Sequence, residues 1–204
     1  LEKLLDGLFL QKTNKKLTER VKELTCLFAL AHLKEKPGLS ENGFLQAAAE
    51  LLPPAVQYPE TACARIVTGA QRFATANFME TPWKLSAPIP SAAGNKSSIE
   101  IFYLEEKPRE DDGPFLKEER ELLDNFAINI GLYIERKTAE DTVKRSRENL
   151  RITLNSIGDA VITTDTEGRI TGMNPVAENL TGRNFREAEG SLLEDVFRII
   201  HAGT

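Results

Sequence analysis

The stretch SIGDAVITTDTEGRITGMNPVAENLTG, Ser156–Gly182, decides how this chain is organised. Ala160–Thr164 (AVITT) and Arg169–Met173 (RITGM) are short runs rich in β-branched residues, as strands require. Asp165-Thr-Glu-Gly168 joins them, with Gly168 suited to a positive φ. Asn174-Pro175 then opens a helix, asparagine as N-cap and proline at the first helical position. Thr181-Gly182 closes that helix, and Leu192–Ile200 is a further amphipathic segment.

Upstream of this stretch, residues from about Phe115 to about Ile157 contain no proline after the start and one internal glycine, Gly131. They predict one helix about 60 Å long at 1.5 Å per residue. A small domain cannot bury that length, so the helix should project or pair. Leu123, Ala127, Ile130 and Ile134 form one apolar stripe. Ala139, Val143, Ser146, Leu150, Thr153 and Ile157 form a second, out of register across Glu135–Lys137. The spacing predicts a parallel homodimer through Ile130, Ile134, Ala139, Val143, Leu150 and Ile157. Two stripes in one seam would give the helix two arrangements of similar energy. The alternative is that Ile130 and Ile134 pack on their own domain, leaving Val143, Leu150 and Ile157 to pair.

The first part of the chain changes period. Leu1–Lys16 reads as the tail of an upstream element. Leu17, Val21, Leu24, Phe28 and Ala31 recur as one helical face, ended by Pro37-Gly38. Ser40 caps a second helix with Phe44, Leu45, Ala48, Leu51 and Leu52 inward, stopped by Pro53-Pro54. Four strands follow: Ala62–Thr68, Gln71–Phe78, Trp83–Ile89 and Ser97–Glu105. Gly69-Ala70 makes the first pair a hairpin, and Pro90–Lys96 is turn-rich. The last strand is apolar on both sides and is expected at the centre of the sheet.

Composition excludes several classes. The chain has 204 residues and a net charge of −5, so it offers no basic stripe for nucleic acid. No apolar run approaches the roughly 20 residues of a membrane span. Cys26 and Cys63 stand alone, without metal or CxxC spacing, and read as small buried apolar residues. With His32 and His201 scattered, no metal site or cofactor is expected. His32 as a haem ligand and Trp83 as a stacking platform are weaker readings than ordinary packing. Glu105–Asp112 (EEKPREDD) reads as a solvated loop. No phosphate-binding glycine loop, GxSxG, phosphoacceptor histidine box or GGDEF sequence is present, so no catalytic residue is assigned.

Ser156–Gly182, continued by FREAEGSLLEDVF (Phe185–Phe197), resembles the first half of PAS domains, with the strand, the DxxG turn, the second strand and the N-P-x-A-x-x-L-T-G helix. Glu19–Lys137 resembles the GAF-like domains that precede PAS domains and histidine kinases. The segment Phe102–Gly131, in which a last strand passes a turn into a terminal helix, carries that resemblance. It implies an α+β fold: an antiparallel sheet packed with helices, a long C-terminal signalling helix, then a partial PAS domain. The implied divisions are an upstream tail (1–16), a GAF-like domain (17–137), a connecting helix (138–157) and the partial PAS domain (158–204). Cyclic-nucleotide-binding GAF domains carry an Asn-Lys…Phe…Asp-Glu pattern. This chain keeps Lys107 and Phe115 but has Glu106 before the lysine and Glu119-Arg120 at the acidic pair. The resemblance implies a remnant Lys107–Glu119 salt bridge. Only Met79–Pro82 separates the second and third predicted strands, so the pocket roof of ligand-binding GAF domains is missing.

These readings imply a signal-transduction module that dimerises and relays a conformational change to the PAS domain and to a kinase or other output domain in the same polypeptide. The chain itself is expected to be non-enzymatic, to make no membrane contact and to lie in the cytoplasm, its parent protein being open to membrane anchoring. The rival readings are a small-molecule-binding GAF sensor and a GAF-fold methionine sulfoxide reductase.

Overall fold

A computed structural model of the chain describes residues 2–91 and 96–197, with side chains from Leu17 onward. Two units emerge, Leu1–Thr138 and Ala139–Thr204.

The first unit is built on a four-stranded antiparallel sheet. Its strands are β1 (Ala62–Thr68), β2 (Gln71–Ala74), β3 (Lys84–Pro88) and β4 (Ser97–Tyr103), in the order β2-β1-β4-β3. β4 is central, as its apolar residues on both faces predict. β2 ends four residues earlier than the periodicity suggests. Beyond Ala74 the chain stays beside β1 through side chains: the Thr75 hydroxyl accepts from Ala64 N, and Asn77 Nδ2 donates to Ala62 O.

One sheet face is covered by helices. It carries Ala62, Ala64 and Ile66 of β1, Ile99, Ile101 and Tyr103 of β4, and Leu85 and Ala87 of β3. Against it lie α1 (Glu2–Glu35), α2 (Glu41–Leu51) and the first half of α3 (Lys117–Ser156). α2 begins where Ser40 Oγ accepts from Gly43 N at 3.1 Å, a side-chain cap worth about 1 kcal/mol. It buries Phe44, Leu45, Ala48 and Ala49. From α3 come Leu122, Leu123, Phe126, Ala127 and Ile130. Each fully buried large side chain contributes roughly 1.5–3 kcal/mol. α1 and α3 run in the same direction: Glu19 lies near Glu119, and Lys34 Nζ donates to Asn129 Oδ1 at 2.7 Å.

Two features of α1 go beyond what its periodicity shows. The helix is continuous from Glu2 through Leu17 to Glu35. Its apolar stripe faces outward: Leu17, Val21, Leu24 and Phe28 are all more than half exposed. The inward side is Glu19, Glu23, Cys26 and Leu30. The 3.6-residue period finds a face but does not say which neighbour covers it.

The second unit begins with the second half of α3. After it come a hairpin of β5 (Ile162–Thr164) and β6 (Ile170–Met173), then α4 (Pro175–Thr181), α5 (Phe185–Ala188) and α6 (Leu193–Val196). The hairpin turn is held by Asp165, whose Oδ1 accepts from Glu167 N and Arg169 N, both at 2.9 Å. Gly168 sits at φ 80°, as the turn requires. The expected amphipathic segment Leu192–Ile200 is described only through Phe197, and His201 lies outside the described residues.

Candidate functional site

Three places in the two units carry buried polar chemistry or open surface. The first is the sheet face opposite the helices. Strand register lays it out in rows: Cys63–Phe102–Lys84, then Ala74–Arg65–Glu100–Ser86, then Arg72–Val67–Ser98–Pro88. The first row is closed over. Phe78 meets Phe102 edge to face at 5.4 Å, and the Cys63 thiol lies 3.5 Å from Met79 O. The segment between β2 and β3 therefore roofs only one end. In the middle row the Arg65 guanidinium is nearly spent. Two of its nitrogens reach Glu100 Oε2 at 2.5 and 2.7 Å, and its carbon lies 4.9 Å from the Phe78 ring. Lys84 takes the other Glu100 oxygen at 3.3 Å. The third row is open and borders a groove of about 570 Å³.

The second place is the corner where α3 begins. Glu119 is buried, and its carboxylate accepts from three donors: Gln57 N at 2.6 Å, Leu116 N at 2.7 Å and Tyr103 Oη at 3.0 Å. The bond to Leu116 N is the return half of a capping box. Burial raises the Glu119 pKa, and the donated hydrogen bonds oppose that rise without cancelling it. The predicted Lys107–Glu119 salt bridge does not form. Lys107 Nζ instead meets Glu105 at 2.5 Å and lies 4.7 Å from the Tyr58 ring centre. The physical reason is that backbone amides and a tyrosine hydroxyl already fill the Glu119 oxygens. Sequence reasoning missed Tyr103 and Gln57; a glutamate three residues into a helix is the one signal that marks this corner.

The third place lies in the second unit, at Asn174. This side chain is 3% exposed and makes four hydrogen bonds. Oδ1 accepts from Ala177 N and Val161 N, both at 2.9 Å. Nδ2 donates to Leu154 O at 3.0 Å and Asp159 O at 2.9 Å. The sequence shows the N-cap role. It does not show that the same amide ties the last turn of α3 to β5 and α4.

The predicted helix-pairing residues divide sharply. Ile130 is fully buried in the core of the first unit, and Ile134 packs against that core. Ile130 is thereby closed to a partner helix, while Ile134 keeps part of its surface exposed; this is the packing of the alternative in which the two serve their own domain. Ala139, Val143, Leu150 and Ile157 are exposed, Val143 at 50% and Leu150 at 60%.

The remaining candidates are ordinary. His32 is exposed and packs edge-on against Phe28 at 4.4 Å. Trp83 packs against the core. Burial pushes the Cys26 thiol up to about 12 and raises that of Cys63. Cys26 belongs to the helix-side core and Cys63 to the opposite sheet face. The acidic loop closes on itself, with Asp112 paired to Arg120 and Asp111 Oδ2 accepting from Lys117 N at 3.1 Å. Among the described residues no helix is long and apolar enough to cross a membrane, and no cluster of His, Cys, Asp and Glu could hold a metal ion.

Comparison with known proteins locates the second unit. Residues 148–202 match the PAS fold. Over 84 residues the chain is 39% identical to the probable diguanylate cyclase DgcE of Escherichia coli strain K12. That alignment spans 41% of this chain and 8% of the cyclase, so the cyclase is far longer than the shared region. Among solved structures, the Escherichia coli DhaR(N)-DhaL complex aligns over 82% of this chain and 71% of the matched chain, at 14% identity and a TM-score of 0.45. The PAS domain and the likeness to a signalling protein support a sensory signal-transduction role.

Proposed function

We propose that the chain is a non-enzymatic relay. Two copies pair, and a change in the first unit passes along α3 to the PAS domain and then to an output domain in the same polypeptide. The observation that carries this reading is α3 itself. Its first half supplies buried residues to one core, while its second half exposes Ala139, Val143 and Leu150 at four- and seven-residue spacing, and Ile157 just past its end is exposed as well. Exposed apolar side chains at that spacing are what a two-helix seam buries. A GAF-like first unit before a kinase-type output belongs to the same proposal. The absence of chemistry is proposed too; in support, both thiols are held protonated by burial and neither faces a general base. The test is disulfide cross-linking of Val143→Cys and Leu150→Cys in a chain with Cys26 and Cys63 replaced by alanine, alongside mass in solution. Cross-links at both positions in a dimer of parallel helices are expected. A monomer that cross-links at neither would sink the reading.

A second reading has its own observation. The open groove on the outer sheet face would suit a small-molecule sensor, and the relay would then carry the binding event.

A further inference from the structure

We propose that the open half of the outer sheet face in the first unit binds a small oxyanion, a phosphate or carboxylate group carried by a metabolite. This rests on the small-molecule reading of that groove and names its ligand class. The argument begins with charge. The chain carries −5 overall, yet the groove is lined by Arg65, Arg72 and Lys96 against one carboxylate, Glu100. That carboxylate is already neutralised, one oxygen by Arg65 and the other by Lys84. Arg65 also meets Glu80 at 3.5 Å, so the middle row is balanced and the groove's surplus positive charge comes from Arg72 and Lys96.

Donor geometry points the same way. Arg72 lies in the same cross-strand row as Ser98, through Val67. It is exposed, and among the described residues its guanidinium has no hydrogen-bond or ion-pair partner. Ser86 and Ser98 line the same groove, each half-buried, and among the described residues neither hydroxyl is bonded. Half-withdrawn hydroxyls beside a free guanidinium are donors without acceptors. An oxyanion supplies the acceptors, and the planar guanidinium fork fits phosphate and carboxylate alike. A volume of about 570 Å³ admits a metabolite-sized molecule. Phe78 and Met79 close the apolar end of the face, so a ligand's polar group would sit at the Arg72 end.

The experiment is a titration of the intact chain with inorganic phosphate and, separately, with citrate. Ionic strength is held constant, and sodium chloride is the control. Backbone amide shifts of Arg72, Ser97 and Ser98 are followed by NMR. Saturable shifts with phosphate or citrate are expected, and the stronger of the two arms assigns the phosphoryl or the carboxylate class. Arg72→Ala, at an exposed strand position, should keep its other amide shifts and weaken binding at least tenfold. Ser98→Ala should weaken it severalfold. Shifts that fail to saturate, that chloride reproduces, or that Arg72→Ala leaves intact would overturn the proposal. None of these outcomes touches the helix cross-links, so the site and the relay fail separately.

Discussion

Glu119 places a carboxylate among three donors and no cation, beside the first turn of α3. Its pKa is raised in the folded chain above the ordinary value of 4.5, burial being the largest cause. An acid with a raised folded pKa binds its proton more tightly folded than unfolded. Its stabilising contribution is therefore complete below the ordinary pKa and is lost as pH rises through the folded value. Glu119→Gln removes that titration and leaves a pH-independent cost from the mismatched amide. The urea midpoint of the native chain should fall relative to the Gln variant as pH is raised from about 4.5. Parallel profiles would show that the corner does not titrate. Asn174 tests the other unit. Asn174→Ser keeps the N-cap but abandons Leu154 O and Asp159 O, with an expected loss of about 1–3 kcal/mol. Asn174→Asp keeps the acceptor oxygen and turns a buried negative charge toward those two carbonyls. It should cost more than the Ser variant at pH 7 and less at pH 4, where a protonated carboxyl donates again; equal losses at both pH values would refute this account of the amide.

At the scale of elements, α3 shows how much the sequence could and could not reveal. Its length was legible from the lack of proline, and its two stripes from spacing. Their assignments were not. Ile130 and Ile134 answer to the core of the first unit; the register break at Glu135–Lys137 was legible, but spacing alone left open which of the two packings it marks. α1 shows the same limit, since its apolar period points outward and its inward face carries Glu19 and Glu23. Strand order was legible where a central strand is apolar on both faces, as in β4. The Lys107–Glu119 contact failed because a salt bridge depends on which groups reach the carboxylate first, and those come from Tyr103 and Gln57. Gly131 gives the element-scale prediction. Alanine is favoured over glycine in a helix by about 1 kcal/mol. At Gly131, however, a Cβ would lie 2.7 Å from Pro90 O, a backbone atom that cannot swing away. Gly131→Ala should therefore destabilise by about 1–3 kcal/mol in denaturant unfolding, against its propensity. A stabilised variant would show that the Pro90 segment yields freely.

For the whole molecule the open question is what covers the exposed apolar surface. In the first unit Leu17, Val21, Leu24 and Phe28 of α1 are joined by Ile128 and Leu132 of α3, all between 48% and 67% exposed. In the second unit Val143 and Leu150 stand equally bare. Single exposed leucines are common on soluble proteins, but a run of them along one helix face marks an interaction surface. A second copy of the chain is the occupant we favour, because both sets lie on helices, the first repeating at three- and four-residue steps and the second at a seven-residue step, as self-pairing helices require. Leu24→Glu with Phe28→Glu, and Val143→Glu with Leu150→Glu, then separate association from folding. All four side chains are already exposed, so neither pair should lower the thermal midpoint of the isolated chain beyond what a surface substitution does, about 0.5 kcal/mol per site. Each side chain buried between copies is worth roughly 1.5–3 kcal/mol, so losing two should weaken dimerisation at least a hundredfold. Sedimentation across a concentration series reads this directly. If one pair dissociates the dimer and the other does not, the interface belongs to that unit alone. If neither changes the mass, the exposed faces are covered by something other than a second copy.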